Sequence, residues 1–219
     1  MQQLQFLRWV LRRVNALTVG IVDYQAGNVA SMQSAFQHLG ARALMIKVPS
    51  DADSVTHIVL PGVGSFGHCR RLLEESGLIP FLETWTWVDK KPLLGVCVGL
   101  QLLTQSSDES PEEAGLGWIP VKTQKLTGND SEYRVPHVGW NDVEFSPSFE
   151  YPHEGKRDYY FDHSFAVTDS PPNTPTAMCD YADGFVAAFR RDNIYATQFH
   201  PEKSQRSGLD FLTYFLMSS

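Results

Sequence analysis

Apolar positions along this chain switch repeatedly between two periods. LTVGIVDY (17–24) is a continuous apolar run of the kind that forms a buried strand; after the turn QAGN, Val29, Met32, Phe36 and Leu39 recur at helical spacing and Gly40 closes the segment. Asn28 stands where an N-cap is expected. ARALMIKV (41–48) and THIVL (56–60) are further strands, RRLLEESGL (70–78) is a helix, and PLLGV (92–96) is a strand that passes without a gap into a helix carrying Val98 and Leu102, flanked by Leu100 and Leu103. Strand, helix, strand, strand, helix, strand, helix is the grammar of an open α/β sheet, mixed and mostly parallel, with helices on both faces. Further on, WIPVKTQKL, YRVPHVGWNDVEF and YYFDHSFAV read as strands, with a Gly128-Asn129-Asp130 turn after the first and the polar loop SFEYPHEGKRD before the last. FVAAF, RRDN and IYATQF form a hairpin with Asn193 at its turn. Leu209, Leu212, Phe215 and Leu216 then mark a terminal core helix.

Composition narrows the class. A chain of 219 residues suits one domain with a sizeable core, and 42% hydrophobic with 12% aromatic residues is ordinary for a soluble protein; no apolar stretch is long enough to span a bilayer. A formal charge of −7 argues against a general nucleic-acid binder. Cys69, Cys97 and Cys179 are an odd number, without a CxxC pair or a secretory cleavage pattern, and fit a reducing cytoplasm. Residues 1–16 stand apart from the domain at 17–219. They carry Arg8, Arg12 and Arg13 with no acidic residue, and Leu4, Leu7, Leu11 and Val14 lie at helical spacing. An amphipathic helix, a transit peptide, a membrane-surface helix and a leader from an upstream start codon all have this look.

The chemistry concentrates where strands end. Cys97 lies in Gly95-Val96-Cys97-Val98-Gly99, at the join of strand and helix, and the two glycines leave room for a strained corner that turns a thiol outward. At the first turn of a helix the thiol also faces unpaired N–H groups, which favour thiolate. A buried structural cysteine is the other reading. Downstream, IYATQF runs into His200-Pro201-Glu202; if the chain stays extended there, His200 and Glu202 point to one side as a base and its orienting carboxylate. Read alone, this tripeptide is equally a strand-ending turn. Together the residues make a nucleophile (Cys97), a proton carrier (His200) and a group that fixes the imidazole (Glu202). The loop Pro61-Gly62-Val63-Gly64 follows a third strand, its glycines allowing positive φ and a close approach, so that an N–H can meet the oxygen that turns negative in acyl transfer. Sites in open α/β sheets gather at the carboxyl ends of strands, which brings the three segments to one edge. His68 and Cys69 lack a second ligand pair, so no metal is expected. The acidic stretch SSDESPEEAG (106–115) reads as a solvated loop, and Trp140 by composition as a core residue.

GVCVGLQLL and TQFHPEKS together resemble the class I, or triad, glutamine amidotransferases, over almost everything from Leu17 onward. Within that family LPGVGSFG (60–67), PHVGWND (136–142) and YYFDHSF (159–165) are similar to the glutaminase subunits of imidazole glycerol phosphate synthase. The resemblance implies a flavodoxin-like core, hydrolysis of glutamine to glutamate and ammonia with Cys97, His200 and Glu202 as triad, and no cofactor. It implies oxyanion donors at the Val98 N–H and in the Gly62-Val63 region, the latter requiring a peptide flip. It places Gln101, Gly64, Ser164 and Phe165 against the bound glutamine, Phe165 and Ser164 through backbone or hydroxyl. Asn28, Trp140, Asn141 and Tyr160 fall towards the partner enzyme. Gln25, Val98, Val138, Asp162 and Phe165 depart from the residues the family usually shows, which are Gly, Leu, Met, an apolar residue and Tyr.

Once these motifs are placed, no segment is left to bind and aminate a second substrate, so the ammonia is expected to pass through a tight complex to another protein. The resemblance implies a heterodimer with a (β/α)8 cyclase that makes imidazole glycerol phosphate for histidine biosynthesis, without nucleic acid or membrane as partners. A paralogue serving a sugar- or polysaccharide-amidating enzyme and a catalytically silent scaffold remain alternatives.

Overall fold

The computed structural model describes residues 13–128, 133–153 and 155–218. The helix expected over residues 1–16 lies largely outside them, as does part of the turn expected at Gly128-Asn129-Asp130. Val14 is described, and at 2% exposed it belongs to the same core as the rest of the domain.

The strands are β1 (Thr18–Val22), β2 (Arg42–Ile46), β3 (His57–Gly62), β4 (Leu93–Cys97), β5 (Ser106–Ser107), β6 (Lys122–Lys125), β7 (His137–Phe145), β8 (Arg157–His163), β9 (Phe165–Ala166), β10 (Thr176–Cys179), β11 (Phe185–Arg191) and β12 (Ile194–Thr197). The helices are α1 (Val29–His38), α2 (Phe66–Glu75), α3 (Ile79–Glu83), α4 (Val98–Leu102) and α5 (Gln205–Leu216). Nine strands form one open sheet in the order β2-β1-β3-β4-β12-β11-β10-β7-β8, and β5, β6 and β9 form a small second sheet. Every residue of β1, β3 and β4 is buried, so both faces of that half are covered, as apolar strands without alternation require.

The expected mostly parallel sheet is parallel only from β2 to β12; from β12 through β11, β10 and β7 to β8 every pairing is antiparallel. The change comes at the β11–β12 hairpin, whose two-residue turn is Asp192, at φ +53°, followed by Asn193, which stands at the turn as expected but outside the positive-φ region. Asn193 instead donates from its side chain to the carbonyls of Thr86 and Lys91, tying the hairpin to the loop before β4. Asn28 does stand at the N-cap of α1, but its side chain makes no capping bond.

Parallel registry sets the site. Gly62 at the end of β3 lies abreast of Cys97 at the end of β4, and Thr197 abreast of Val96, so the loops leaving β3, β4 and β12 emerge side by side. β4 passes into α4 at close quarters with β3: a Cβ on Gly99 would sit 1.9 Å from the Leu60 carbonyl oxygen. In an ordinary helix Gly→Ala stabilises by up to ~1 kcal/mol. Here the clash dominates, and Gly99→Ala is expected to cost about 3 kcal/mol or more. In a thermal melt that is a drop of ~6–12 °C for a chain of this size; a wild-type midpoint would contradict the packing described.

Candidate active site

Cys97 has φ +54° and ψ −111°, a conformation sparsely open to any residue with a side chain. Such strain persists where the surroundings over-determine it and costs about 1–3 kcal/mol. It ends β4 and caps α4, is 3% exposed, and lines a cavity of about 250 Å³. The corner expected between Gly95 and Gly99 is therefore present, and buried and strained rather than prominent. α4 is five residues long, so its dipole at the thiol is small. Other groups meet the sulfur: Gln198 Nε2 points at Sγ from 3.7 Å, and His200 is close enough for Cys97 to raise its pKa.

His200 and Glu202 lie together as expected, Nδ1 to Oε1 at 2.9 Å, both side chains buried. The chain does not stay extended: Pro201–Lys203 is a turn of 3-10 helix, and the backbone of His200 is held by its N–H to the Tyr160 carbonyl and by its carbonyl to the Ser204 hydroxyl. Burial alone would lower the His200 pKa. Charge and hydrogen bonding from Cys97, with a further contribution from Glu202, reverse this and lift it to about 10. Nδ1 is occupied by Glu202, which leaves Nε2 for the sulfur. The second carboxylate oxygen of Glu202 is buried with no hydrogen-bond partner among the described residues.

The loop after β3 divides its work. Gly64 has φ +96° and lines the cavity with Val63. Gly62 is not in the positive-φ region; it is a glycine because a Cβ there would meet Gly99 N and Val98 Cβ at 2.8 Å. Carbonyls on either side of the Gly62–Val63 peptide are held from below. Tyr24 donates to the Pro61 carbonyl at 2.6 Å and the Cys69 thiol to the Val63 carbonyl at 3.3 Å. Burial pushes the Cys69 pKa up to about 11, so it remains a donor.

The acidic stretch 106–115 is not simply solvated. Ser65 makes no capping bond at the start of α2; instead Glu109 accepts the Phe66 N–H at 2.7 Å and Ser110 the Gly67 N–H at 3.1 Å. A carboxylate at a helix N-terminus satisfies orphan donors and meets the positive end of the helix. The same Glu109 lines the cavity, the one acidic group there besides Asp162. Its only trace in the sequence is an acidic loop, which is common on surfaces.

Of the expected substrate contacts, Gln101, Gly64, Ser164 and Phe165 all line the cavity. The Phe165 carbonyl already accepts from Gln101 Nε2 at 2.9 Å and from His163 Nδ1 at 3.0 Å, which uses both lone pairs and leaves that oxygen nothing for substrate. Ser164 gives its carbonyl to the Leu126 N–H.

Trp140 is not core. It is 46% exposed beside Val138 at 56%, and pairs in register with Tyr160, whose ring lies 6.2 Å away and under Lys203. Asn141, expected on the same surface, points to the opposite face of β7 because successive side chains alternate; it lies 3.4 Å from His137. Asp162 and Lys203 join the cavity mouth to this exposed face. Gln25, where the family usually has glycine, has φ +68°, which explains that preference and leaves this chain with a local strain.

An open α/β sheet bearing a thiol at a strand-to-helix corner, with an imidazole–carboxylate pair against it, defines a class of cysteine-dependent acyl-transfer proteins. Comparison narrows the class: the family model for class-I glutamine amidotransferases matches residues 20–217, and the chain belongs to that family. It is 37% identical over 207 residues to the imidazole glycerol phosphate synthase subunit HisH of Pelagibacter ubique, covering 91% of this chain and 99% of that one. It is 39% identical over 212 residues to the imidazole glycerol phosphate synthase hisHF of Emericella nidulans, covering 91% of this chain and 38% of that longer one. A crystal structure titled as a glutamine amidotransferase superposes with a TM-score of 0.71 at 19% identity, over 90% of this chain and 96% of that one, which shows the fold.

Proposed function

We propose that this chain is the glutaminase subunit of imidazole glycerol phosphate synthase, releasing ammonia from glutamine for a cyclase partner in histidine biosynthesis. The observation that carries the chemistry is the buried Cys97–His200–Glu202 constellation at the edge of a cavity of glutamine size. The Cys97 thiolate attacks the carboxamide carbon; the oxyanion is received by the Val98 N–H and an N–H of the Gly62-Val63 region. His200 gives its proton to the departing ammonia, then takes one from the water that releases glutamate, with Glu202 holding its ring. At the other end of the substrate, Glu109 is placed for the α-ammonium. Glu109→Gln keeps an acceptor for the Phe66 N–H and removes only the charge, so KM for glutamine should rise about tenfold or more with a smaller change in kcat. An unchanged KM in steady-state assays would contradict the placement.

The partner reading is supported by the relatives' names, by the longer hisHF relative that this chain matches over only part of its length, and by the exposed Val138 and Trp140, with the half-buried Tyr160, beside the cavity mouth. Asn28, half-buried at the head of α1, is proposed for the same interface. A contiguous apolar patch at a site mouth is what a protein partner covers. No helix among the described residues is long and apolar enough to cross a membrane, and three free thiols suit a reducing cytoplasm. The test is co-purification with a histidine-pathway cyclase: Trp140→Ala should weaken the complex, and undiminished affinity would contradict this face.

A further inference from the structure

We infer that His163, with His137 behind it, is a positioning residue that fixes the Gln101 carboxamide through a hydrogen-bond chain of single polarity anchored at the Phe165 carbonyl; the inference rests on the glutaminase reading of the same cavity.

The polarity follows atom by atom. A carbonyl only accepts, so His163 Nδ1, 3.0 Å from the Phe165 oxygen, carries a hydrogen. Burial, with the nearby His137 and His200, pushes the pKa of His163 down to about 3, and burial pushes that of His137 down to about 4. Both rings are therefore neutral at physiological pH, and each has one donor and one acceptor nitrogen. His163 Nε2 is then the acceptor, and His137 Nδ1 at 3.1 Å donates to it. His137 Nε2 accepts in turn from Asn141 Nδ2 at 3.4 Å. The Asn141 amide is oriented independently, since its Oδ1 accepts the Asp142 N–H at 2.8 Å. Three donors point one way, from β7 inward to Phe165.

A second run of bonds meets the first at that oxygen. Gln101 Nε2 donates to the Phe165 carbonyl at 2.9 Å and to Gln198 Oε1 at 3.2 Å, and Gln198 thereby turns its Nε2 towards Cys97 Sγ. With both N–H bonds spent, Gln101 presents Oε1 to the cavity, an atom that can only accept. At this wall the cavity is thus set to accept an N–H group. Flipping Gln101 would break two bonds at once, which is how the chain holds one orientation.

The residues are packed for this role rather than for solvent. His137 stacks on Tyr181 at 3.9 Å and on Phe161 at 4.8 Å, so a phenyl ring there keeps the aromatic stacking and loses the hydrogen bonds.

Two measurements test the inference. In ¹⁵N spectra of histidine-labelled protein, His137 and His163 should both be neutral Nδ1–H tautomers at neutral pH; either one as the Nε2–H tautomer or the imidazolium would overturn the chain. Glutamine binding by calorimetry is measured in the Cys97→Ala background, where turnover is blocked. Adding His137→Phe or His163→Leu should weaken binding about tenfold, the worth of one well-made hydrogen bond, whereas His163→Asn, which keeps a donor for the Phe165 carbonyl, should stay within about threefold. Glutamine affinity unchanged from the Cys97→Ala parent in folded His137→Phe and His163→Leu variants would sink the positioning role. If Cys97→Ala itself fails to bind glutamine, the glutaminase reading falls, and the tautomers still judge the chain on their own.

Discussion

Cys97→Ala is expected to abolish glutamate release, a loss on the order of a thousandfold or more, with the fold and partner binding retained. The reasoning separates chemistry from fold. The side chain lost is a single sulfur in a cavity wall, and alanine meets the same backbone strain at φ +54° that cysteine does, so the native state loses little. The reaction loses its nucleophile, and removing a nucleophile costs far more than removing a group that assists it. Glutamine hydrolysis followed by glutamate release checks it. A folded variant with substantial residual glutaminase activity would remove Cys97 from the mechanism.

Glu202→Gln should be the second largest effect, lowering kcat on the order of a hundredfold or more, and it carries a pH signature. In the native chain burial drives the His200 pKa down, but Cys97 and Glu202 together lift it to about 10, above its ordinary 6.5. A raised folded-state value means that the charged imidazole stabilises the fold fully below about pH 6.5 and that this contribution fades as pH climbs through about 10. Without the carboxylate, the alkaline limb of the activity profile should move down by about one to three pH units. The variant should also lose more stability at about pH 6 than at about pH 10. Equal destabilisation at both, or an unmoved alkaline limb, would show that Glu202 does not hold a charged His200.

Much of this was legible in the residues. Gly95, Cys97 and Gly99 foretold a strained corner because only a glycine at 99 lets α4 approach the Leu60 carbonyl. The unbroken apolar runs of β1, β3 and β4 foretold strands covered on both sides, and His200 and Glu202 sit two residues apart, where a short turn suffices to bring them together. What stayed hidden was contact across long separations. Glu109 reaches the cavity because a loop supplies the cap that Ser65 does not make, and nothing in SSDESPEEAG distinguishes a helix cap from a solvated run. Tyr24 and Cys69 look like core positions until their donors are seen on the Pro61 and Val63 carbonyls. At Trp140 composition and the family resemblance point different ways, core against partner surface, and the residue is exposed. Composition favours burying a tryptophan, whereas the alternation along β7 decides the matter here and sends Trp140 and Asn141 to opposite faces.

The central claim is that this chain hydrolyses glutamine for a partner. The most direct measurement is glutamate release by the purified chain, alone and with a histidine-pathway cyclase loaded with its nucleotide substrate. The account predicts slow release alone and strong stimulation by the loaded cyclase. Full-rate hydrolysis without a partner, or no stimulation while Cys97 still reacts with a glutamine-site thiol reagent, would contradict it.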